Sequence, residues 1–461
     1  MTLIKSISGI RGTIGGLSGE GLTPLDIVRF VSAYAQWIQK SRPDRKTVIV
    51  VGRDARVSGE MAAKLVTGTL MGLGTNVINL DYATTPTVEI AVAETKADGG
   101  IILTASHNPG NWNALKLLNE KGEFISADEG EEILRLAEKE SFSYADVNYL
   151  GKLNNSNEFN DIHIKKIIDL PLVDRKVISK AGFRIVIDCV NSVGGLILPT
   201  FLKSMGVAEV IELYCIPDGN FPHNPEPLPE NLGEISKTIR SEKADFGFAV
   251  DPDVDRLAIF NEDGSPFGEE YTLVSVADYV LQNTPGNTVS NLSSTKALKE
   301  LTEKYNQKYA AAAVGEVNVV NKMKAVNAVI GGEGNGGIIY PALHYGRDAL
   351  VGIALFLTYL AKSGLKCSQL RSKYPRYVIS KNRLELRPET DVDNILKLVG
   401  ESYKDFPSNR EDGLKIEFPE GWVHLRKSNT EPIIRIYSEG ENEQKANELA
   451  QRIILTIHTV K

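Results

Sequence analysis

Through its first 370 residues, the 461-residue chain alternates short apolar runs of strand length with segments of helical periodicity. This alternation is typical of α/β units, in which a helix follows each strand and packs on a sheet with parallel pairing. At one domain per about 150 residues, the length indicates about three domains. The sequence therefore predicts several α/β domains and excludes a single small module.

Changes in this pattern predict the domain boundaries. Near residues 140–160, Ser, Tyr, Asn and Gly are mixed among charges, and from about residue 371 strand-like runs follow one another before a final helix. We predict α/β domains at 1–150, 151–255 and 256–370 and a smaller α+β domain at 371–461. The third domain is expected to begin with a strand at Leu257–Phe260 and to end with a buried helix at Ala349–Ala361.

Composition and charge exclude several classes of protein. The net charge of −7 argues against nucleic-acid and membrane-surface partners, because both need a basic surface. The most apolar run is about 13 residues long, which is too short for the ~20 residues needed to span a bilayer. The first residues lack the hydrophobic region of a signal peptide, and three scattered cysteines give neither a disulfide framework nor zinc spacing. We therefore expect a cytoplasmic protein with no nucleic-acid and no membrane partner.

The first polar loop follows the strand-like run Ile101–Thr104 and carries Ser106, the obvious nucleophile among small residues. Serine is a weak nucleophile at its free pKa, so it needs a nearby base or must already carry a phosphoryl group. His107 and Lys116 are the local candidates for that base. Alternatively, Ser106 and Asn108 only cap the following segment, as such residues do at many strand-to-helix turns.

The second loop, Asp251-Pro252-Asp253-Val254-Asp255-Arg256, directly follows a buried strand. In an extended segment this alternation would put three carboxylates on one side. We expect Mg²⁺ to neutralise them, because hard divalent cations prefer oxygen ligands. A solvated acidic turn is the alternative. Arg256 is expected either to contact phosphate or to pair with Asp255.

The third loop, Gly331–Gly337, has five glycines around Glu333 and Asn335. Glycine lets the backbone approach a ligand closely, and a carboxylate with an amide suits sugar hydroxyls. Glycine clusters also form plain tight turns, so in isolation this loop is weak evidence for a sugar site.

The fourth loop gathers cations, hydroxyls and an amide, which predicts a phosphate site, with a solvated polar hairpin as the alternative. Its residues are Arg426, Ser428, Asn429 and Thr430, followed by Arg435 on a strand. Because ligands of open α/β sheets bind at the carboxyl ends of strands, all four loops are expected to converge on one cleft.

With these loops assembled, the sequence resembles the α-D-phosphohexomutase superfamily, whose members include phosphoglucomutase, phosphomannomutase and phosphoglucosamine mutase. The resemblance covers nearly the whole chain. Its motifs stand in family order: Gly9-Ile10-Arg11-Gly12, Gly52-Arg53-Asp54, the Ser106 loop, the DxDxDR loop, the Gly-Glu loop and Ser-Asn-Thr-Glu-Pro. It implies three similar α/β domains with mixed sheets and a smaller C-terminal α+β domain around a central cleft.

The resemblance also implies an isomerase that interconverts hexose 6-phosphate and hexose 1-phosphate through a phosphoserine. It implies that phosphorylated Ser106, with Asp251, Asp253 and Asp255, holds Mg²⁺, and that hexose 1,6-bisphosphate is the activator. The remaining catalytic positions are His107, Lys116, Arg256 and Arg11. The substrate-binding positions are Glu333, Asn335, Arg426, Ser428, Asn429, Thr430 and Arg435.

Three residues depart from the common family pattern. Pro252 stands where many members have glycine, Asn335 where many have serine, and Gly337 where many have histidine. The sugar loop resembles that of archaeal-type phosphoglucosamine and phosphohexose mutases. We expect glucosamine phosphate to be the preferred substrate, with glucose and mannose phosphates as close alternatives.

Two rival functions remain open from the sequence. One is a metal-dependent sugar phosphatase that uses an aspartate of the 251–255 loop as its nucleophile, and the other is a sugar-phosphate sensor that binds without reacting. The chain is expected to be a monomer or a homodimer.

Overall fold

The computed structural model describes residues 1–6, 9–387, 390–427 and 433–460. These residues form four separate sheets, three of them in α/β units and one at the C-terminal end. The predicted fold class, three similar α/β domains with a smaller C-terminal α+β domain, is confirmed.

The first sheet has seven strands in the order β1-β2-β6-β5-β3-β4-β7. Its strands are β1 (Leu3–Ser6), β2 (Gly9–Thr13), β3 (Val48–Arg53), β4 (Asn76–Tyr82), β5 (Gly99–Leu103), β6 (Trp112–Leu118) and β7 (Leu153–Asn155). Pairing of β3 with β4 and β5, and of β4 with β7, is parallel, whereas β1–β2, β2–β6 and β5–β6 are antiparallel. The sheet is therefore mixed. Its helices are α1 (Pro24–Lys40), α2 (Gly59–Gly72), α3 (Thr85–Thr95) and α4 (Ala127–Lys139).

Helix starts in this unit follow local sequence signals. At α1, the Thr23 side chain accepts a hydrogen bond from the Asp26 N–H, and the Asp26 carboxylate accepts one from the Thr23 N–H. Pro24 stands at the first helical position, where a missing N–H costs nothing. At α3, Thr84 caps the Thr87 N–H in the same way.

The second sheet has four strands in the order β11-β10-β8-β9. They are β8 (Arg184–Asp188), β9 (Glu209–Leu213), β10 (Phe246–Val250) and β11 (Leu257–Phe260). The expectation that the strand at 257–260 begins the third unit was wrong, because β11 pairs antiparallel with β10. Its helices are α5 (Phe159–Ile168), α6 (Arg175–Ala181), α7 (Gly194–Met205) and α8 (Gly233–Glu242).

The third sheet has the order β13-β12-β14-β15. Its strands are β12 (Asn287–Asn291), β13 (Tyr309–Ala312), β14 (Ala328–Glu333) and β15 (Gly337–Ile339). Its helices are α9 (Glu269–Asn283), α10 (Ala297–Lys304), α11 (Glu316–Val326) and α12 (Ala349–Ser363), followed by the short α13 (Cys367–Arg371).

The fourth sheet is antiparallel throughout, in the order β16-β20-β19-β18-β17. Its strands are β16 (Val378–Glu385), β17 (Ser408–Asn409), β18 (Leu414–Phe418), β19 (Gly421–Lys427) and β20 (Ile433–Gly440). Helices α14 (Val392–Ser402) and α15 (Glu443–Val460) cover one face, which gives the smaller α+β unit.

Helix α12 lies at the centre of the largest core, which is shared by the second and third units. The ring of Phe356 contacts those of Phe246, Phe248 and Phe267 edge-on, with centroids 5.5 to 6.2 Å apart. Such contacts add to the free energy gained by burying the rings. This helix was expected to be buried, and all residues from Ala349 to Leu360 are. No helix in the described part of the chain is long and apolar enough to cross a membrane.

We expect Phe356→Ala to lower the free energy of unfolding by about 3–5 kcal/mol, because it leaves a cavity among three aromatic rings. Leu455→Ala is the control: its side chain is 65% exposed, and its cost should stay within about 0.5 kcal/mol. Urea unfolding of both variants against the wild type measures the difference. Equal losses in the two variants would contradict a core centred on α12.

Candidate active site

The Ser106 loop joins two antiparallel strands, since β5 ends at Leu103 and β6 begins at Trp112. No helix follows the serine, so the alternative that it caps a helix is wrong. Ser106 has φ +49°, a left-handed conformation that non-glycine residues rarely adopt. Its N–H donates to Thr104 Oγ1 (2.9 Å), and its side chain lies in the interior rather than on an exposed surface.

Arg56 binds the backbone of this loop, a role that was not predicted from the sequence. Its guanidinium donates to the main-chain carbonyls of Ser106, Asn108, Pro109 and Trp112. Its Nε pairs with Asp54 Oδ2 at 3.0 Å, and both side chains are fully buried. Five guanidinium donors in a fixed plane suit such a set of carbonyls.

The acidic loop brings its three carboxylates together in a turn. The expectation of an extended segment was wrong, because Val254 adopts φ +61° and bends the chain between Asp253 and Asp255. One oxygen from each of the three aspartates nevertheless lies within 4.8 Å of the others, and all three side chains are buried. A solvated acidic turn is therefore excluded.

Neighbouring elements support the backbone of this loop at three successive carbonyls. The Ser192 hydroxyl donates to the Pro252 carbonyl oxygen at 2.7 Å. The Thr85 N–H at the start of α3 donates to the Asp253 carbonyl at 2.9 Å, and the Ala349 N–H at the start of α12 donates to the Val254 carbonyl at 3.2 Å. All three structural units upstream of the fourth sheet therefore contact the acidic loop.

The carboxylates have unused acceptor capacity of the kind that a metal ion would satisfy. Ser106 Oγ donates to Asp251 Oδ2 at 2.8 Å, whereas the buried Oδ1 atoms of Asp253 and Asp255 accept no hydrogen bond from any described residue. Burial and the two neighbouring aspartates raise the pKa of Asp251 well above its usual value. Buried carboxylates with free oxygens fit a hard divalent cation.

Lys116 is a cation in contact with the aspartates. Its Nζ lies 2.7 Å from Asp253 Oδ2 and 3.5 Å from Asp255 Oδ2. Burial alone would lower the pKa of Lys116, but these two carboxylates raise it above its ordinary value. The ammonium group is therefore protonated at neutral pH and balances part of the charge of the acidic loop.

Arg347 is a second cation in the site, and the sequence analysis missed it. Its side chain donates to Asp255 Oδ2 (2.7 Å), Glu333 Oε2 (3.0 Å) and Glu316 Oε2 (3.0 Å). It thus joins the acidic loop to the glycine-rich loop. In the sequence, the only local signal next to Arg347 is Asp348, which precedes a helix start. That signal predicts a helix cap and does not indicate an active-site residue.

Thr85 is another residue that the sequence analysis missed. Its Oγ1 donates to Asp253 Oδ2 at 2.5 Å, in addition to the backbone bond described above. A threonine at the start of a helix is common, so no local signal distinguishes it.

His107 lies beside the serine, with Nδ1 3.3 Å from Ser106 Oγ. Burial lowers the pKa of His107 to about 2, and the positive charge of Arg256 acts in the same direction. The imidazole is therefore uncharged at neutral pH, so it can take part in hydrogen bonds but is too weak a base to take up a proton.

Three arginines from different units form a positive region. Burial lowers the pKa of Arg11, and the charges of Arg256 and Arg435 lower it further. Arg256 also pairs with Glu226 (3.6 Å) more closely than with Asp255 (4.0 Å). Like charges held together in a folded protein suit a polyanionic ligand such as phosphate.

Of the residues predicted to bind phosphate in the fourth unit, Arg426 and Arg435 lie within the described part of the chain. Arg426 pairs with Asp412 at 2.7 Å, and Arg435 is exposed on β20. Ser428, Asn429 and Thr430 lie outside the described residues.

The glycine-rich loop is the link between β14 and β15. Glu333 Oε1 accepts from Asn291 Nδ2 (2.9 Å) and the Gly315 N–H (3.0 Å), and Oε2 accepts from Arg347. Asn335 Oδ1 accepts from the Gly337 N–H at 3.2 Å. Gly336 has φ +83°, and a Cβ there would lie 2.2 Å from the Leu257 carbonyl oxygen, so the loop packs closely against β11.

Comparison with known proteins follows the same four-part division. Family models described as phosphoglucomutase/phosphomannomutase match in order: alpha/beta/alpha domain I at residues 3–144, domain II at 161–264, domain III at 268–377 and the C-terminal domain at 383–456.

Individual relatives match over nearly their whole lengths. A phosphoglucomutase/phosphomannomutase of Thermococcus kodakarensis is 35% identical, with 95% of this chain and 96% of the relative covered. A phosphoglucosamine/phosphogalactosamine mutase of Sulfurisphaera tokodaii is 31% identical, with 96% and 97% covered. The crystal structure of a phosphoglucomutase/phosphomannomutase family protein from Burkholderia thailandensis has a TM-score of 0.85 at 25% identity, covering 100% of this chain and 98% of that one.

These matches confirm the resemblance on which the sequence analysis relied. The chain belongs to the phosphoglucomutase/phosphomannomutase family of α-D-phosphohexomutases and is an enzyme of the isomerase class.

Proposed function

We propose that the enzyme interconverts hexose 6-phosphate and hexose 1-phosphate through a phosphorylated Ser106, with glucosamine phosphate as its preferred substrate. The observation that carries the proposal is the placement of Ser106 Oγ 2.8 Å from Asp251, inside a buried triad of carboxylates with free oxygens. A hydroxyl in that position is suited to carry a phosphoryl group whose charge a bound cation offsets.

Asp251, Asp253 and Asp255, together with phosphorylated Ser106, would hold Mg²⁺. When bound, the ion supplies charge neutralisation for the phosphoryl group. The Oδ1 atoms of Asp253 and Asp255, which accept no hydrogen bond within the described ranges, support this assignment.

In the first transfer, the bond between phosphorus and Ser106 Oγ breaks, and a new bond forms to the free hydroxyl of a hexose monophosphate. The hexose hydroxyl loses its proton and Ser106 Oγ gains one, so the products are the free serine and a hexose bisphosphate, which also serves as the activator. In the second transfer, the other phosphoryl group of the bisphosphate returns to Ser106. Catalysis of this kind depends mainly on position and electrostatic stabilisation.

Two residues beside Ser106 are suited to stabilise charge and to orient the hydroxyl. Lys116, protonated at neutral pH, can donate a hydrogen bond to an oxygen on which negative charge develops. The uncharged His107, with Nδ1 3.3 Å from Ser106 Oγ, is suited to orient the serine hydroxyl through a hydrogen bond.

The phosphate that is not transferred needs a site of its own. Arg11 and Arg256 with Arg435 form the positive region that supports such a site. We assign Arg426, Ser428, Asn429 and Thr430 to the same phosphate. A separate phosphate site lets the bisphosphate turn over while it stays bound.

We assign the sugar hydroxyls to Glu333 and Asn335. A carboxylate offers about four acceptor positions, and three of those on Glu333 are occupied by Asn291, Gly315 and Arg347. One position on Oε2 therefore remains for a sugar hydroxyl. The Sulfurisphaera tokodaii relative acts on amino-sugar phosphates by its name, whereas the Thermococcus kodakarensis relative is named for glucose and mannose phosphates.

Free cysteines at 189, 215 and 367 are consistent with a cytoplasmic enzyme.

Ser106→Ala should lower mutase turnover by at least about 10³-fold, because the phosphoryl carrier is removed. A coupled assay with hexose 6-phosphate and a trace of the bisphosphate measures turnover, and intact-mass analysis should find no phosphoryl group on the variant. Ser372→Ala, at an exposed serine, is the control and should match the wild type. Turnover near wild type in Ser106→Ala would contradict the phosphoserine mechanism.

Chelation of divalent cations should abolish turnover, and added Mg²⁺ should restore it. Mg²⁺ at 100 times its Kd should also stabilise the wild-type fold by about 2.7 kcal/mol, which thermal unfolding detects without any substrate. Asp255→Asn should lose that stabilisation, whereas Asp263→Asn, at an exposed aspartate, should keep it. The assignment fails if Asp255→Asn responds to Mg²⁺ as the wild type does.

A side-by-side assay of glucosamine, glucose and mannose phosphates should give the highest kcat/KM for glucosamine phosphate. The same reactions should release little inorganic phosphate. Substantial phosphate release without a bisphosphate requirement would instead favour the phosphatase, and binding without turnover would favour the sensor. A higher kcat/KM for glucose or mannose phosphate would overturn only the sugar preference.

A further inference from the structure

A network of four titratable side chains lies behind the acidic loop, where three units meet. His163 Nε2 on α5 donates to Asp348 Oδ2 at 2.9 Å, and His344 Nε2 lies 3.3 Å from the same oxygen. His344 Nδ1 lies 3.2 Å from Glu89 Oε2 on α3. None of these residues belongs to the site described above.

The network connects the two helices that support the acidic loop. Thr87 and Glu89 lie on α3, whose first residue, Thr85, donates its N–H to the Asp253 carbonyl. Asp348 caps α12 by accepting from the Leu350 N–H at 2.8 Å, and the first residue of α12 donates its N–H to the Val254 carbonyl. The distance between the two helix starts therefore affects the shape of the loop.

His344 is the only side chain that joins Glu89 to Asp348 among the described contacts of this network. Neither oxygen of Glu89 accepts a hydrogen bond of good geometry within the described residues, so the imidazole 3.2 Å away is its main compensating group. A buried carboxylate without such a partner is strongly destabilising. The contact between α3 and α12 at this point therefore depends on His344.

Charges around His344 keep it protonated. Burial alone would lower the pKa of His344, but the Asp348 and Glu89 carboxylates raise it to about 10. Burial also raises the pKa of Glu89 to about 8. The other groups that act on this pair are the His163 ring on α5, 6.4 Å from the His344 ring, and the charges of Lys116 on β6 and Glu316 on α11, which act on Glu89.

The network is not a second metal site. Two imidazoles and two carboxylates are suitable ligands, but within the described ranges only the three aspartates at 251, 253 and 255 bring three ligand atoms within 4.8 Å of one another. A structural role through hydrogen bonds and charge fits this arrangement better.

The geometry points to His344 as a positioning residue: its imidazolium links Glu89 of α3 to Asp348 of α12 and so holds the acidic loop between the two helix starts. A change in this link moves the carbonyl supports of Asp253 and Val254 without touching substrate. The inference rests on the proposed function only where its test measures mutase activity.

The first experiment compares His344→Gln and Glu89→Gln with Glu94→Gln. Glu94 pairs with Lys166 at 2.6 Å across α3 and α5, but that pair is about 40% exposed, so it is a matched control from the same helix. Hydrogen exchange of the Thr85 and Ala349 amides should be faster in the first two variants and unchanged in the control. kcat should fall about 10- to 100-fold with little change in KM, since a small misplacement of reacting groups costs rate.

The second experiment separates charge from shape by the pH dependence of Tm. Because the folded-state pKa of His344 is raised above the unfolded value of about 6.5, its stabilisation is complete below that pH and is lost as pH rises through about 10. The Tm difference between wild type and His344→Gln should therefore be larger at pH 6.5 than at pH 10. In contrast, a purely steric role would give a constant difference.

Unchanged exchange at both amides in His344→Gln would overturn the inference, as would a Tm difference independent of pH. If His344→Gln fails to fold, Glu89→Gln decides by the same exchange measurement. A wild-type enzyme without mutase activity would refute the proposed function, but the exchange and Tm results would still decide the role of His344.

Discussion

The site depends on the balance of charge around three buried aspartates. Asp251, Asp253 and Asp255 crowd together at the end of one strand, and a group of like charges is tolerated in the interior only when opposite charges reach it. Lys116 arrives from the first sheet and Arg347 from the third unit. The electrostatic requirement of one short loop thus brings three units of the chain to a common point.

The hydrophobic core supports this arrangement from below. Helix α12 packs its phenylalanine against aromatic rings of the second unit, so the second and third units share one core. The same helix begins beside the acidic loop and donates an N–H to it. Packing and polar contacts therefore fix α12 in the same position, which restricts the freedom of the loop more than either contact alone would.

Much of the fold was predictable because strand-length apolar runs and their polar loops are local features. The strand before Asp251 and the loop after Leu103 were placed correctly, as was the buried helix α12. Contacts between residues far apart in the sequence were not predictable. Arg347 hydrogen-bonds to Asp255, 92 positions away, and Thr85 hydrogen-bonds to Asp253, 168 positions away. β11 was assigned to the wrong sheet for the same reason. Val254 adopts a left-handed conformation, and because the residue is not a glycine the sequence does not predict that conformation.

The contacts of Arg56 bear on how the enzyme passes through its cycle. Its hydrogen bonds around the serine loop all go to main-chain carbonyls, and the carboxylate of Asp54 fixes its orientation. None of these contacts involves the Ser106 hydroxyl. The backbone of the loop is consequently held without the hydroxyl, so the proposed alternation of Ser106 between its free and phosphorylated forms requires no refolding of the loop.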